Sequence, residues 1–284
     1  MEQIILKVFV IWSFVKNDRF VRRALIRPLL VSILLVCCAC NMQADKNHYV
    51  LAERLFSDHK YAAAVAEFQK IIDSNPRGPL THQALFRIAV IQYLYLERYQ
   101  DSINTFRQFI ALSQNEELVY QAEKSVGEIF FSKTENYRSA VDQYKRLIEK
   151  YPNSKEGDFF HYRLAKSYYG ALRFADAIQT YKEFLDKYPK SELAADASYQ
   201  IGNTLFTQGD CEAAVKAFEN VIKSFPNSDV AIFAQFGVGN CYEETGRTSE
   251  ALNLYKTLVD RYPTKSIIEA KIKRLQSKEE SRIR

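Results

Sequence analysis

A short phrase returns along this chain at a fixed spacing, and that spacing limits the folds open to it. Ala177-Ile178-Gln179-Thr180-Tyr181 is followed by Phe184-Leu185, Tyr188-Pro189 and Ser191. Thirty-seven residues on come Ala214, Phe218, Val221-Ile222, Phe225-Pro226 and Ser228; the next step brings Ala251, Tyr255, Leu258-Val259 and Tyr262-Pro263. Upstream stand Ala140, Tyr144, Leu147-Ile148, Tyr151-Pro152 and Ser154. Two earlier copies are Tyr61, Ala64, Phe68, Ile71-Ile72 and Pro76, and then Ser102, Phe106, Phe109-Ile110 and Leu112, with Gln114 near the expected proline. The column Ala64, Ser102, Ala140, Ala177, Ala214, Ala251 therefore advances in steps of 38, 38, 37, 37 and 37. A fixed period of this length marks stacked structural repeats. A generic helical bundle has no reason to keep one column in register.

Each phrase spaces its apolar residues as one face of a helix. The helix must end at the aromatic-proline pair, because the residue before proline is pushed out of the α region. Ser154, Ser191 and Ser228, two places after the prolines, stand where the next helix needs an N-cap. That next helix carries a small residue twelve positions before the following alanine: Ala165, Gly202, Gly239. Small residues there let two helices approach closely. The unit is thus helix A, turn, helix B, proline. One pair cannot bury its own apolar face, whereas stacked neighbours can. The expected fold is all-α, with about six helix pairs over residues 48–264 and a capping helix and basic tail over 265–284. Ser266-Ile267-Ile268-Glu269 has the pattern of a capping box for that last helix.

A double aromatic column runs along the A helices. The first position reads Tyr49, Phe86, Lys124, Tyr162, Tyr199 and Phe236; seven residues later stand Phe56, Tyr93, Phe131, Tyr169, Phe206 and Glu243. Two helical turns apart is the same face. In a right-handed stack of pairs the A helices line the inner, concave surface, which makes these rings candidate anchors for an extended peptide or a partner's helix. The competing reading is that they fill the spaces between neighbouring A helices. Glu53, Glu128, Lys166, Asn203 and Asn240 lie between the columns and are candidates to hydrogen-bond a ligand backbone.

The amino terminus has another character. Residues 21–27 are basic, Leu29 to Val36 is an apolar run too short to span a bilayer, and Cys37-Cys38-Ala39-Cys40 follows. This is the layout of a secretory signal, with residues 1–39 as the signal region. Residues 1–20 add a second apolar patch, read either as a mis-assigned start or as an uncleaved anchor. Residues 40–47 are polar and read as a tether. The signal region has six Lys or Arg against two acids, so the formal net charge of +5 leaves the repeats nearly neutral. Nucleic-acid binding needs a dense basic face, and the repeats do not offer one. Cys211 and Cys241 are the cysteines of the body; two buried thiols and a disulfide both stay open.

Catalytic chemistry is not expected. His48, His59, His82 and His161 are dispersed and none has a partner at metal-ligand spacing. There is no phosphate-cradling glycine loop and no Gly-x-Ser-x-Gly. No cofactor, metal or small-molecule substrate is expected; the partners are proteins.

The small residue, the aromatic, the Ala-x-x-x-aromatic pair and the terminal proline together resemble tetratricopeptide repeats. That resemblance implies a right-handed superhelix of helix pairs that binds other proteins. Ala39-Cys40 resembles the lipobox of bacterial lipoproteins, although Cys37 stands where leucine is usual; it implies lipid attachment at Cys40 and, with Met42 two residues on, an outer-membrane location facing the periplasm. Pro76-Arg77-Gly78-Pro79 to Phe109-Ile110-Ala111-Leu112 resembles the early repeats of the BamD-type outer-membrane assembly lipoproteins. That likeness implies a part in β-barrel assembly, with Tyr49, Phe56, Phe86 and Tyr93 lining a receiving groove. The later units are more regular than that family's middle repeats and look as much like CpoB-type scaffolds linked to the Tol-Pal system.

Overall fold

The computed structural model describes residues 27–283, and the side chains of residues 42–281. The signal features in residues 1–26 and the side chains of Cys37, Cys38 and Cys40 lie outside the described residues.

The described residues form thirteen α-helices and no strand. The A helices are α1 (Arg27–Ser57), α3 (Thr81–Leu94), α5 (Glu116–Glu128), α7 (Gly157–Gly170), α9 (Ala194–Thr207) and α11 (Asp229–Glu244). The B helices are α2 (Tyr61–Ser74), α4 (Tyr99–Leu112), α6 (Tyr137–Lys150), α8 (Phe174–Lys187), α10 (Cys211–Ser224) and α12 (Thr248–Leu258). A π turn at Ile129–Lys133 extends α5, and α13 (Lys265–Ile283) follows the last pair. None of these helices is long and apolar enough to cross a membrane. The chain divides into two compact units, one ending at Ala122 and the other beginning at Glu123. Within each, helices consecutive in sequence pack on one another. The polar stretch 41–47 continues α1 without a break, and Asp45 within it is buried, accepting a 2.7 Å bond from the Ser74 hydroxyl.

The alanine column is the buried seam of each pair: Ala64, Ala140, Ala177, Ala214 and Ala251 have no exposed surface. Ser102 fits the same slot because its hydroxyl donates to the Ala89 carbonyl at 2.8 Å, so no buried polar atom is orphaned there. The aromatic residue four places on is buried too, and it needs a bare patch opposite. Phe218 shows this most clearly. A β-carbon on Gly202 or on Gly237 would stand 2.6 Å from its ring, so the ring is gripped by glycines of both flanking A helices.

The turn from A to B repeats as closely as the helices do. His59, Glu97, Glu135, Leu172, Gly209 and Gly246 all have left-handed φ angles, and each stands five residues before its column residue. At four of these turns the next amide donates back five residues: Lys60 to Leu55, Arg173 to Tyr168, Asp210 to Leu205 and Arg247 to Tyr242. This is the Schellman closure, which satisfies orphan carbonyls at a helix end and favours glycine at the left-handed position. Leu172 occupies that position with a φ of 61° while 74% exposed.

The joints between pairs follow the expectation in part. Ser228 caps α11, accepting from the Val230 amide. Ser154 and Ser191 accept from Glu156 and Leu193. Those bonds close a turn ahead of the helix, because α7 and α9 begin three residues after the serine. Similarly, α13 begins at Lys265, so Ser266 is its second residue and not its cap; Glu269 faces Lys265 instead. The helix still serves as a cap, burying Ile268 and Leu275 against Ala251, Tyr255 and Leu258.

Two substitutions read these features in opposite directions. Leu172→Gly relieves a left-handed residue that buries nothing and should raise stability by about 0.5–1 kcal/mol. Gly202→Ala drives a methyl into the Phe218 ring and should lower it by about 1–3 kcal/mol. Urea midpoints followed by circular dichroism check both, and a shift of the same sign for the two would contradict this account of the repeat.

Candidate functional site

The aromatic columns fall on the A helices, and most of their rings lean on the B helix of the same pair. In the first unit the Tyr49 and Phe68 rings pack edge to face with centres 5.3 Å apart, Phe86 meets Phe106 and Phe109, and Tyr93 meets Tyr99. In the second, Tyr162 meets Tyr181 and Phe184, Tyr169 meets Phe174, Tyr199 meets Phe218, and Phe236 meets Tyr255. Phe206 packs on the Ala214–Phe218 cluster. These positions are half-buried except Tyr162, which is buried. The rings therefore fill space between helices and keep part of their surface exposed.

A clamp missing from the sequence reading covers some of that surface. Arg87 of α3 lies over the Phe56 ring at 4.5 Å and holds Glu53 through two bonds of 2.7 Å. The second unit repeats the device. Arg163 of α7 lies 4.3 Å from the Phe131 ring centre, reaches Glu128 at 3.3 Å and also faces Phe159. Its Nε is buried without a partner, so that clamp depends more on the rings than on the ion pair. The signal lay in plain view: Glu-x-x-Phe on one A helix, then Arg one place after the first aromatic position of the next A helix where that helix offers one. It binds neighbouring A helices, so Glu53 and Glu128, expected to meet a ligand, are engaged by the chain itself.

The last station is covered in a similar way. Lys271 of α13 donates to Asn240 at 2.8 Å and to Glu243 at 3.0 Å, and its ammonium lies over Phe236 and Tyr255. Burial lowers its pKa against the pull of Glu244. Arg274 pairs with Glu243 as well, and the Tyr255 hydroxyl donates to Asn240 at 2.9 Å. Phe236 and Asn240, both candidate ligand contacts, thus face the chain's own final helix. At the other end of the second unit Lys124 is bound to Glu156.

What stays open lies on α7 and α9. The Tyr162 hydroxyl donates to Asp196, and burial followed by that bond raises its pKa. The Tyr169 hydroxyl lies 3.2 Å from that of Thr207, so this ring is fixed in position. Lys166 rests its ammonium over the Tyr162 ring at 5.5 Å. Among the described residues, Lys166 and Asn203 are the candidate polar groups whose side chains form no hydrogen bond within the chain. Lys166 lies one turn before Tyr169 on α7, and Asn203 lies one turn after Tyr199 and one before Phe206 on α9. A fixed aromatic floor with one free cation and one free amide suits an extended backbone or a carboxylate. The described residues contain no group of three or more His, Cys, Asp or Glu able to hold a metal.

The family model YfiO, described as outer membrane lipoprotein, matches residues 131–264, and a tetratricopeptide-repeat model matches residues 83–114. Over residues 131–264 the chain is similar to the YfiO outer membrane lipoproteins. These residues are a little under half the chain, and they include the open face of α7 and α9. The sequence reading found its likeness to assembly lipoproteins in residues 76–112; the family match lies instead in the later units, whose regularity had made them look less specific. No curated protein matches the chain.

Solved structures agree on the fold. A tetratricopeptide-repeat protein from Parabacteroides merdae superimposes with a TM-score of 0.54 at 14% identity, covering 84% of this chain and 89% of its own. The C-terminal part of a repeat protein from Cytophaga hutchinsonii gives 0.53 at 17% identity, covering 75% and 78%. PilW, described as a widely conserved type IV pilus biogenesis factor, gives 0.50 at 14% identity, covering 80% and 98%. At these identities the likeness concerns architecture alone.

The two arginine clamps differ in a measurable way. Arg87→Ala breaks a bidentate pair and uncovers Phe56, and should cost about 1–2 kcal/mol; Arg163→Ala breaks one long bond and should cost about 0.5–1 kcal/mol. Urea unfolding of the two variants tests this, and a larger loss for Arg163→Ala would show that the ion pair contributes little to the clamp.

Proposed function

We propose that this protein is a non-catalytic scaffold of the outer membrane, held by lipid at Cys40, that receives a partner segment during β-barrel assembly. The observation that carries the reading is the YfiO family match over the helices that bear the open face. The repeats support it: tetratricopeptide helix pairs act through protein contacts, and here two polar groups left unused by the fold lie on the same helices as rings of the column. In this reading Tyr169, Tyr199 and Phe206 form the floor, with Lys166 and Asn203 at its edge. Tyr162 acts from beneath by fixing Asp196. Tyr49, Phe56, Phe86, Tyr93, Phe131, Phe236 and Asn240 serve the packing that holds the A helices in line. Lipid at the amino terminus would keep the repeats at the membrane surface.

Two experiments test the proposal separately. Metabolic labelling with a fatty acid should mark the wild type and not Cys40→Ser; label retained on the variant would move the lipid away from Cys40, and an unlabelled wild type would remove the anchor. Depletion should lower porin levels in the outer membrane, and a folded Lys166→Glu, Tyr169→Ala variant should fail to restore them. Unchanged porins on depletion would contradict the assembly role; chaining cells with blebbing envelopes would point to the Tol-Pal-linked alternative. Full rescue by the double variant would clear the α7–α9 face of any part in it.

A further inference from the structure

Two cysteines of the repeats meet at the seam between α10 and α11. Cys211 is the first residue of α10, and Cys241 lies in the last turn of α11. The two helices are neighbours joined by a short turn and run antiparallel, so the start of one lies beside the end of the other. Cys241 is fully buried with Ala214, Phe218 and Val238, and half-buried Cys211 packs on that cluster. Both are free thiols. Both also line one cavity of about 350 Å³, together with Lys216, Glu219, Tyr242 and Arg247. The bland account is that each sulfur fills space as a small apolar group. That account explains a buried Cys241. It does not explain why the second sulfur borders the same cavity from the opposite helix.

We propose that Cys211 and Cys241 are a modification site, a dithiol that closes into an inter-helix disulfide by exchange with a disulfide-bearing oxidant admitted through that cavity. The order of events follows from access. Cys211 is the sulfur open to the cavity, so it attacks first. Its thiol releases a proton to water, its sulfur bonds to one sulfur of the oxidant, and the oxidant's S–S bond breaks. The other oxidant sulfur leaves as a thiolate and takes up a proton. Burial, reinforced by the neighbouring Cys211, pushes the Cys241 thiol up to about 12. Cys241 therefore stays protonated until the mixed disulfide is in place. It then gives its proton to the departing sulfur as its own sulfur bonds to Cys211. In sum, two protein thiols lose two electrons and two protons, and the oxidant's disulfide becomes two thiols. An export signal would place the chain where such oxidants operate. The bridge would fasten the B helix of the fifth pair to the A helix of the sixth, and it does not depend on what the α7–α9 face binds.

The test uses the reduced full chain and oxidised glutathione as the oxidant. After oxidation and alkylation, peptide mapping should recover a linked peptide joining residues 211 and 241. Tm should rise by several degrees and fall back with dithiothreitol. Cys211→Ser should show neither change, while its Cys241 becomes alkylated only once the chain is unfolded. The proposal is overturned if, after treatment with the oxidant, both cysteines are alkylated when the chain is unfolded without reductant. It is equally overturned if Cys211 stops at a glutathione adduct, or if either cysteine links instead to Cys37, Cys38 or Cys40.

Discussion

The fold depends on a ring from one helix finding a surface without side chains on the next. A helix of fourteen residues is too short to persist alone in water, and most helices here have that length. Their stability has to come from faces that close on each other. Phe218 between Gly202 and Gly237, and Tyr255 against Gly239, show the condition in its strictest form. The alanine column does the same work from the other side, bringing the backbones near enough for the rings to reach. Because each ring touches helices before and after it, closing one pair also joins it to the next. Stability is then set locally and summed along neighbours within each unit.

The same economy shapes the surface. A ring that anchors a helix pair still presents an edge or face outward. Several of those faces are claimed by cations from the following A helix, as with Arg87 on Phe56 and Arg163 on Phe131, and by Lys271 of the final helix on Phe236. Each clamp shields apolar surface that would otherwise invite nonspecific contact, and the two arginine clamps each tie two neighbouring A helices. On α7 and α9 the cation over the column is Lys166 of α7 itself, above Tyr162, and its ammonium forms no hydrogen bond within the described residues. The open face is thus defined as much by which stations the chain covers as by the aromatic pattern itself.

Much of the architecture could be read from residue spacing, because spacing is what a repeat conserves by geometry. The helix pairs, their alanine seam, the proline stops and the final cap all follow from a period and a few residue types. The turns were legible at Gly209 and Gly246 and hidden at His59, Glu97, Glu135 and Leu172, since nothing in those four residue types announces a left-handed backbone. The clamps were hidden for another reason. Glu53 and Arg87, like Glu128 and Arg163, meet only after two A helices have been placed side by side, so a search along one helix face cannot find them. The candidate face was half legible: the columns were visible, but burial belongs to the neighbours, and no single-helix pattern says that Asn240 will be bound by Lys271 while Asn203 is left free.

The central claim is that the surface joining α7 and α9 holds a protein partner while the B helices do not. Site-directed photocrosslinking in cell envelopes tests it most directly, with the reactive residue at Asn203 in one strain and at exposed Lys182 of α8 in another. The account predicts a discrete cross-linked product, containing a component of outer-membrane protein assembly, from position 203 and none from position 182. Equal products from both positions, or a product from 182 alone, would contradict it.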